Sequence, residues 1–361
     1  MPAPASSRIS GSTTGCVNKT EPAVTTVLGP IAADALGITL PHEHLLIDLT
    51  CLQHPPETAE QEGLAGVEPS GDNRAALSAD PYVNRSNLLL DDVETAVREL
   101  EAFRELGGGT VVDLTVEGIA PRPVELREIA GATGVQVVMG CGLYVQAAHP
   151  GWVREASVEE LADWMEREIE EGIGGTGIRP GIIGELGTSS PVQPDEEKVL
   201  RAGARAQRVS GLAINVHVAI FQREALRVLE ILEGAGADLP RVIISHLDEN
   251  LDLGYHRAIL ERGATVEYDT FGSKFAFAHR GARESSDGER IEALLRLLDE
   301  GWEKQILLSQ DVCTKLHLLA YGGYGYGHLL RTIVPRLRER GVGESTLRTM
   351  MVTNPARLLG R

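Results

Sequence analysis

Basic residues are in short supply: 34 lysines and arginines face 52 aspartates and glutamates, for a net charge of −18 at neutral pH. No basic run breaks that imbalance, so the chain repels phosphate backbones and anionic membrane surfaces, and nucleic-acid partners are excluded. Aromatic residues make up only 4%, which is too few for a base-stacking surface. The four cysteines, Cys16, Cys51, Cys141 and Cys313, lie far apart and form no C-x-x-C pair. Neither a disulfide framework nor a thiolate zinc site is expected, and a reducing cytoplasm fits. No stretch approaches the roughly 20 apolar residues of a membrane helix. Residues 1–22 lack the basic start and apolar core of a secretory signal and read as a disordered tail ahead of one domain over residues 23–361.

What is present in quantity is glycine, 40 residues, which suits many tight strand-to-helix turns. Between Thr25 and Ile47 two short apolar stretches, separated by Ala32-Ala33-Asp34, predict a small hairpin leading into a strand that ends at Pro41-His42-Glu43-His44. From Cys51 to Leu90 periodicity is lost, which predicts a long insertion after this first strand. Short β-branched runs then recur at Gly109–Thr115, Val135–Tyr144, Gly181–Gly187, Ala213–Val218, Arg241–Leu247, Ala264–Thr270 and Gln305–Asp311. Helical stretches intervene, among them Asp91–Leu106, Val158–Ile173, Asp195–Val209, Arg223–Gly234 and Arg290–Gly301, several opening on Asp or Ser and closing on Gly. Eight alternations of strand and helix imply parallel pairing through right-handed crossovers, and a closed (β/α)8 TIM barrel accommodates that count without an exposed edge.

The polar residues of these strands gather at the C-terminal ends: His42 and His44 on the first, Glu185 on the fourth, His217 on the fifth, His246 on the sixth, Asp311 on the eighth. That end is the catalytic face of a barrel. Because side chains alternate along a strand, His42 and His44 point to one side and Glu43 to the other. Singly, each residue is explained as a hydrogen-bonded histidine or salt-bridged acid. Together, in apolar contexts such as Ile182-Ile183-Gly184-Glu185, so many buried polar groups would leave several unpaired at about 1–3 kcal/mol each without a cation. A site for two divalent metal ions is therefore expected. Its imidazole and carboxylate donors suit Zn2+, with Mn2+, Co2+ or Fe2+ as alternatives. Two ions about 3.5–4 Å apart lower the pKa of a bridging water and polarise a carbonyl or phosphoryl oxygen, with Asp311 placed to accept the proton.

These residues carry a resemblance. Thr26-Val27-Leu28-Gly29, His42-Glu43-His44-Leu45, Ile183-Gly184-Glu185-Leu186-Gly187, Ser245-His246-Leu247-Asp248, Val266-Glu267-Tyr268-Asp269, and Asp311 followed by Thr314-Lys315 and Tyr321-Gly322-Gly323-Tyr324-Gly325-Tyr326 resemble the phosphotriesterase branch of the amidohydrolase superfamily, closest to its phosphotriesterase-related group. The resemblance covers nearly everything after Thr25. It implies that His42, His44 and Asp311 hold the more buried ion, that His217 and His246 hold the more exposed one, and that Glu185 bridges them where the best-known members use a carbamylated lysine. It also implies carboxyl-derived substrates such as N-acyl amino acids and lactones, and a homodimer.

Further candidates follow. Tyr144, ending strand three, resembles the family's aromatic over the metals and could donate to the substrate oxygen, packing being the alternative. Asp269, ending strand seven, is a candidate proton relay or a contact for a polar substrate group, with capping of the next helix as the alternative. Lys315, with His317 beside it, is a candidate for binding an acidic substrate tail, and the run Tyr321–Gly327 is either a lid or a rigid turn. The expected activity is hydrolysis of a small ester, lactone or amide. The alternatives are a phosphotriester hydrolase, a metal-containing small-ligand binding protein with little turnover, and a deaminase with one ion.

Overall fold

The computed structural model describes residues 22–277 and 281–361. The eight β-branched runs become eight strands: β1 (Ile38–Glu43), β2 (Gly108–Asp113), β3 (Gln136–Cys141), β4 (Ile182–Gly187), β5 (Ile214–His217), β6 (Val242–Ile244), β7 (Thr265–Tyr268) and β8 (Ile306–Leu308). Each pairs in parallel with the next. Every residue of β4 is buried, as a strand covered on both faces requires, which explains its near-continuous apolar sequence.

The ends of the sheet meet at a seam closed largely by side chains. The Asp311 amide donates to the His42 carbonyl at 3.2 Å. The Ser309 hydroxyl accepts from the His42 amide at 3.1 Å and lies 2.9 Å from the His42 carbonyl and 2.8 Å from Glu43 Oε1, one of which takes its proton. Glu43 also accepts from the backbone amides of Gln310 and Val312, at 2.9 and 2.8 Å. The strands thus form the (β/α)8 barrel expected.

The helices after β1 to β7 are Val93–Glu105, Pro123–Thr133, Val158–Glu171, Pro194–Ser210, Ala225–Gly234, Leu253–Leu260 and Asp287–Asp299. Their sequences explain where they start and stop. Ser157 with Glu160, and Ser286 with Glu289, form reciprocal capping boxes, and Gly134 and Gly211 end their helices in the left-handed conformation, which glycine adopts without steric penalty. No helix among the described residues is long and apolar enough to cross a membrane.

Three local expectations change. The hairpin pairs Ala23–Thr26 with Gly29–Ala32, so its turn is at Val27-Leu28, and Ala33–Leu36 is a 3-10 turn; Gly29, at φ +119, supplies the backbone freedom that Ala32-Ala33-Asp34 lack. The insertion holds two short helices, Ala59–Leu64 and Arg74–Ala79. Finally, β6, β7 and β8 stop one to three residues before His246, Asp269 and Asp311. His246 and Asp311 have φ of 59° and 45°, which leaves extended geometry, so neither can continue a ladder. The expected tail, residues 1–22, lies outside the described residues except for Pro22, whose carbonyl accepts from the Ala33 amide.

Candidate metal centre

The fold brings all six expected donors together at the C-terminal ends of β1, β4, β5, β6 and β8. Glu185 stands at the middle. Its Oε1 is 3.5 Å from His44 Nε2, and its Oε2 is 3.4 Å from His42 Nε2, 3.3 Å from His217 Nδ1 and 3.9 Å from His246 Nε2. Asp311 Oδ1 lies 3.4 Å from His44 Nε2 and 3.9 Å from His42 Nε2. Among the described residues three groups could each hold a cation: His42, His44 and Glu185; Glu185, His217 and His246; and His42, His246 and Asp269. The first two share the Glu185 carboxylate and open on one another.

The residues present fit such ions. His42 Nε2 and Glu185 Oε2 are buried, face each other and have no hydrogen-bond partner. Orphaned buried polar atoms on adjacent groups are expected where a ligand completes the site. Charge gives the same reading. Burial opposes the charge on Glu185, but the His217 and His42 imidazoles close beside it outweigh that and hold the carboxyl well below its ordinary range. For His42, burial is outweighed by Asp269, Glu185 and Glu267, which draw the imidazole well above its usual value; His246 rises to about 9 against burial because Asp269 faces it. His217 moves down under burial, partly offset by Glu185, and Asp311, though buried, is lowered by His44 and His42. The same excess of negative charge that attracts protons here would attract divalent cations, which take deprotonated donors.

Behind the donors is a supporting layer that sequence spacing did not show. His44 Nδ1 is 2.9 Å from Thr115 Oγ1, and His42 Nδ1 is 3.1 Å from Ser245 Oγ. Contacts of this type fix the ring orientation of a ligating histidine. Asp269 belongs to this layer. Its carboxylate oxygens lie 3.0 Å from His42 Nδ1 and 3.2 Å from His246 Nδ1, and it accepts from the His246 amide. Asp269 is fully buried and does not line the cavity, so the expected direct contact with substrate is not made, and it caps no helix. Glu43 and Glu267 were visible only as motif residues. Glu267 Oε2 accepts from Asn215 and Ser245, both at 2.9 Å.

A cavity of about 460 Å3 opens above the donors, lined by His44, Glu185, His217, His246 and Asp311 at its floor. Tyr144 lines it too, edge-on to His217 with centroids 5.0 Å apart. Burial and the nearby Glu185 raise its phenol well above the usual range, so the hydroxyl keeps its proton as a donor. Lys315 is elsewhere. Its amine is 2.6 Å from Glu68 Oε1 and 2.9 Å from Ser86 Oγ, and it lines a separate small cleft with Leu90 and Tyr321. The insertion supplies that acidic partner, which sequence order could not reveal. His317 does line the cavity. The glycine and tyrosine run is a packed turn: Tyr326 is fully buried and donates to the His44 carbonyl at 2.6 Å, and a Cβ on Gly323 would sit 2.2 Å from the His317 carbonyl.

Residues 22–359 match the Phosphotriesterase family. The chain belongs to that family. Among relatives, an N-acetyltaurine hydrolase from Danio rerio is 37% identical over 340 residues, spanning 93% of this chain and 97% of the relative. A resiniferatoxin-binding protein from Rhodobacter sphaeroides superposes with a TM-score of 0.92 at 42% identity, over 93% of this chain and 94% of that one. A Deinococcus radiodurans PTE-like lactonase mutant does so at 0.75 and 31% identity, over 93% and 100%. Family and donor set together make this phosphotriesterase-family chain a metal-dependent hydrolase.

Proposed function

We propose that the chain hydrolyses the amide or ester bond of a small acyl compound at a pair of divalent ions held by His42, His44 and Asp311 on one side, His217 and His246 on the other, with Glu185 between. The observation that carries this reading is the Glu185 carboxylate, buried among four imidazoles at the floor of a cavity large enough for one small molecule. Bound ions would supply an activated water and Lewis acidity toward the acyl oxygen. The protein's own groups do the rest. Asp311, at the cavity floor, is placed to take a proton and return it to the leaving group, and Tyr144 to donate a hydrogen bond to the acyl oxygen. Asp269, Thr115 and Ser245 keep the imidazoles turned to the site. The imidazole-rich set favours zinc. An N-acetyltaurine hydrolase and a lactonase among the relatives support an acyl substrate.

Elemental analysis of protein purified without chelator, paired with rates on N-acyl amides, lactones and aryl phosphotriesters, tests this reading. Metal at two equivalents and turnover of an acyl compound are expected; preference for the phosphotriester would overturn the substrate class. A second reading, ligand sequestration, is favoured by the resiniferatoxin-binding relative. Asp311→Asn separates the two: hydrolysis requires its rate to fall about 10²–10⁴-fold with proton transfer lost, whereas an unchanged rate would remove Asp311 from the reaction.

A further inference from the structure

The cavity has a second polar feature away from the donors. Along the wall formed after β6 and β7 lie Glu249, Thr270, Ser273, Phe275 and Glu284, with His317 from the loop after β8. Behind this wall is Arg290, fully buried. Its guanidinium contacts Glu249 Oε1, lies 3.2 Å from Asp248 Oδ2 and 3.4 Å from Asp287 Oδ1, and reaches no oxygen of Glu284. Glu249 is fully engaged, its Oε1 with Arg290 and Thr270 and its Oε2 with the Ser285 amide.

Glu284 is different. It is 92% buried, since only 8% of its surface is exposed. Oε2 accepts from the Ser273 hydroxyl and the Phe275 amide, both at 2.5 Å. Oε1 has no hydrogen bond or ion pair with any described residue, and the side chain lines the cavity. It is not among the sealed, unsatisfied atoms of the interior, so it opens on the cavity. Phe275 lines the same wall, its ring stacked on His317 at 4.7 Å, and burial drives His317 down to about 3, so that imidazole is neutral. Among the described residues no lysine or arginine lines the cavity, and Lys315 is committed to Glu68.

Resting on the hydrolase reading above, we propose that the leaving-group end of this cavity recognises an ammonium head through Glu284 Oε1, so that the substrate is an acyl amide or ester of an amino compound with a free cationic end, in contrast to the sulfonate named for the Danio rerio relative. The charge balance supports this. Asp248, Glu249 and Asp287 take the one guanidinium, Glu284 has no cation in contact among the described residues, and burial raises Asp248 and Glu284 to about 8. A substrate cation would supply the missing positive charge and stabilise the ionised Glu284, beside an aromatic ring that adds cation–π attraction.

The test uses the metal-loaded protein and three compounds of matched length: N-acetylputrescine (cationic), N-butylacetamide (neutral) and N-acetyl-γ-aminobutyrate (anionic). Affinity is read by calorimetry, and turnover where it occurs. We expect the cationic compound to bind about ten-fold or more tightly than the anionic one, the range of a charge-assisted hydrogen bond. Glu284→Gln should remove that preference through KM while kcat and affinity for the neutral compound hold within about two-fold, and Glu284→Asp should restore part of it. Unchanged binding of the neutral compound also shows that the variant is folded. Preference for the anionic compound, or a cationic preference that survives Glu284→Gln, overturns the proposal. Absence of turnover for all three with the cationic preference intact would instead overturn the hydrolase reading and leave the ammonium site standing.

Discussion

The two halves of the donor cluster differ in how they are held. The His42 and His44 imidazoles are 0% and 3% exposed and each has a hydroxyl against its Nδ1, while Asp311 beside them keeps 19% of its side chain open to the cavity. His217, with 16% of its side chain exposed, turns Nδ1 toward Glu185 and has no hydrogen bond from Nε2 to any described residue. His246 stands between the two conditions, buried and tied to Asp269 but only 2.8 Å from His217 Nδ1. The inner half is preorganised by its surroundings, and the outer half is shaped by the cavity. An ion held in the first would exchange against a rigid frame, and one in the second against solvent and substrate.

Glu185→Ala makes the hardest break, because its carboxylate stands between the imidazole Nε2 atoms of His42 and His44 and the ring nitrogens of His217 and His246. Metal content should fall at both, and kcat/KM by at least about 10³-fold; retention of one full equivalent by elemental analysis would mean that the halves are independent. Next is His217→Ala under a chelator titration. Wild-type metal content should decay in two phases, the outer ion leaving first, and the variant should lose the first phase while keeping the second. A single phase in wild type would erase the distinction.

A third measurement separates the frame from the cavity wall by pH. Burial raises Glu43, Asp248 and Glu284 to about 8, while unfolded carboxylates titrate near 4. Between those values the folded chain holds protons that the unfolded chain has lost, so the stability of chelator-treated protein should fall as pH rises from about 5 to 8. Thermal melting should show that slope, with Glu43→Gln and Glu284→Gln each flattening it; a midpoint that rises over this range would contradict the assignment. The smallest effect is expected from Thr115→Val, which leaves His44 without its Nδ1 partner and should weaken inner-ion affinity about 10-fold with little change at the outer ion.

The donors were legible in the sequence because a strand-end position is a one-dimensional property: a polar residue closing an apolar run shows itself. The supporting layer was not, since Asp269 beside His42 and Ser245 beside His42 join strands far apart in the chain. The place of Asp269 behind the imidazoles was not legible, because strand order says nothing of which face of the histidines it meets. Lys315 read as a substrate cation because its acceptor, Glu68, comes from an aperiodic insertion. Arg290 left a trace. It shares one helical stripe with Leu294 and Leu297, at the spacing of a buried face.

The Ser309 and Glu43 contacts between β1 and β8 give the cylinder a hem. Elsewhere its staves are joined by amide ladders, but here a hydroxyl and a carboxylate do the stitching, and the inner donors come from the two sides of that join. Any ion gripped by His42, His44 and Asp311 is therefore also a clasp across it, so loading the site and keeping the cylinder shut are one equilibrium, with each reinforcing the other by the same free energy.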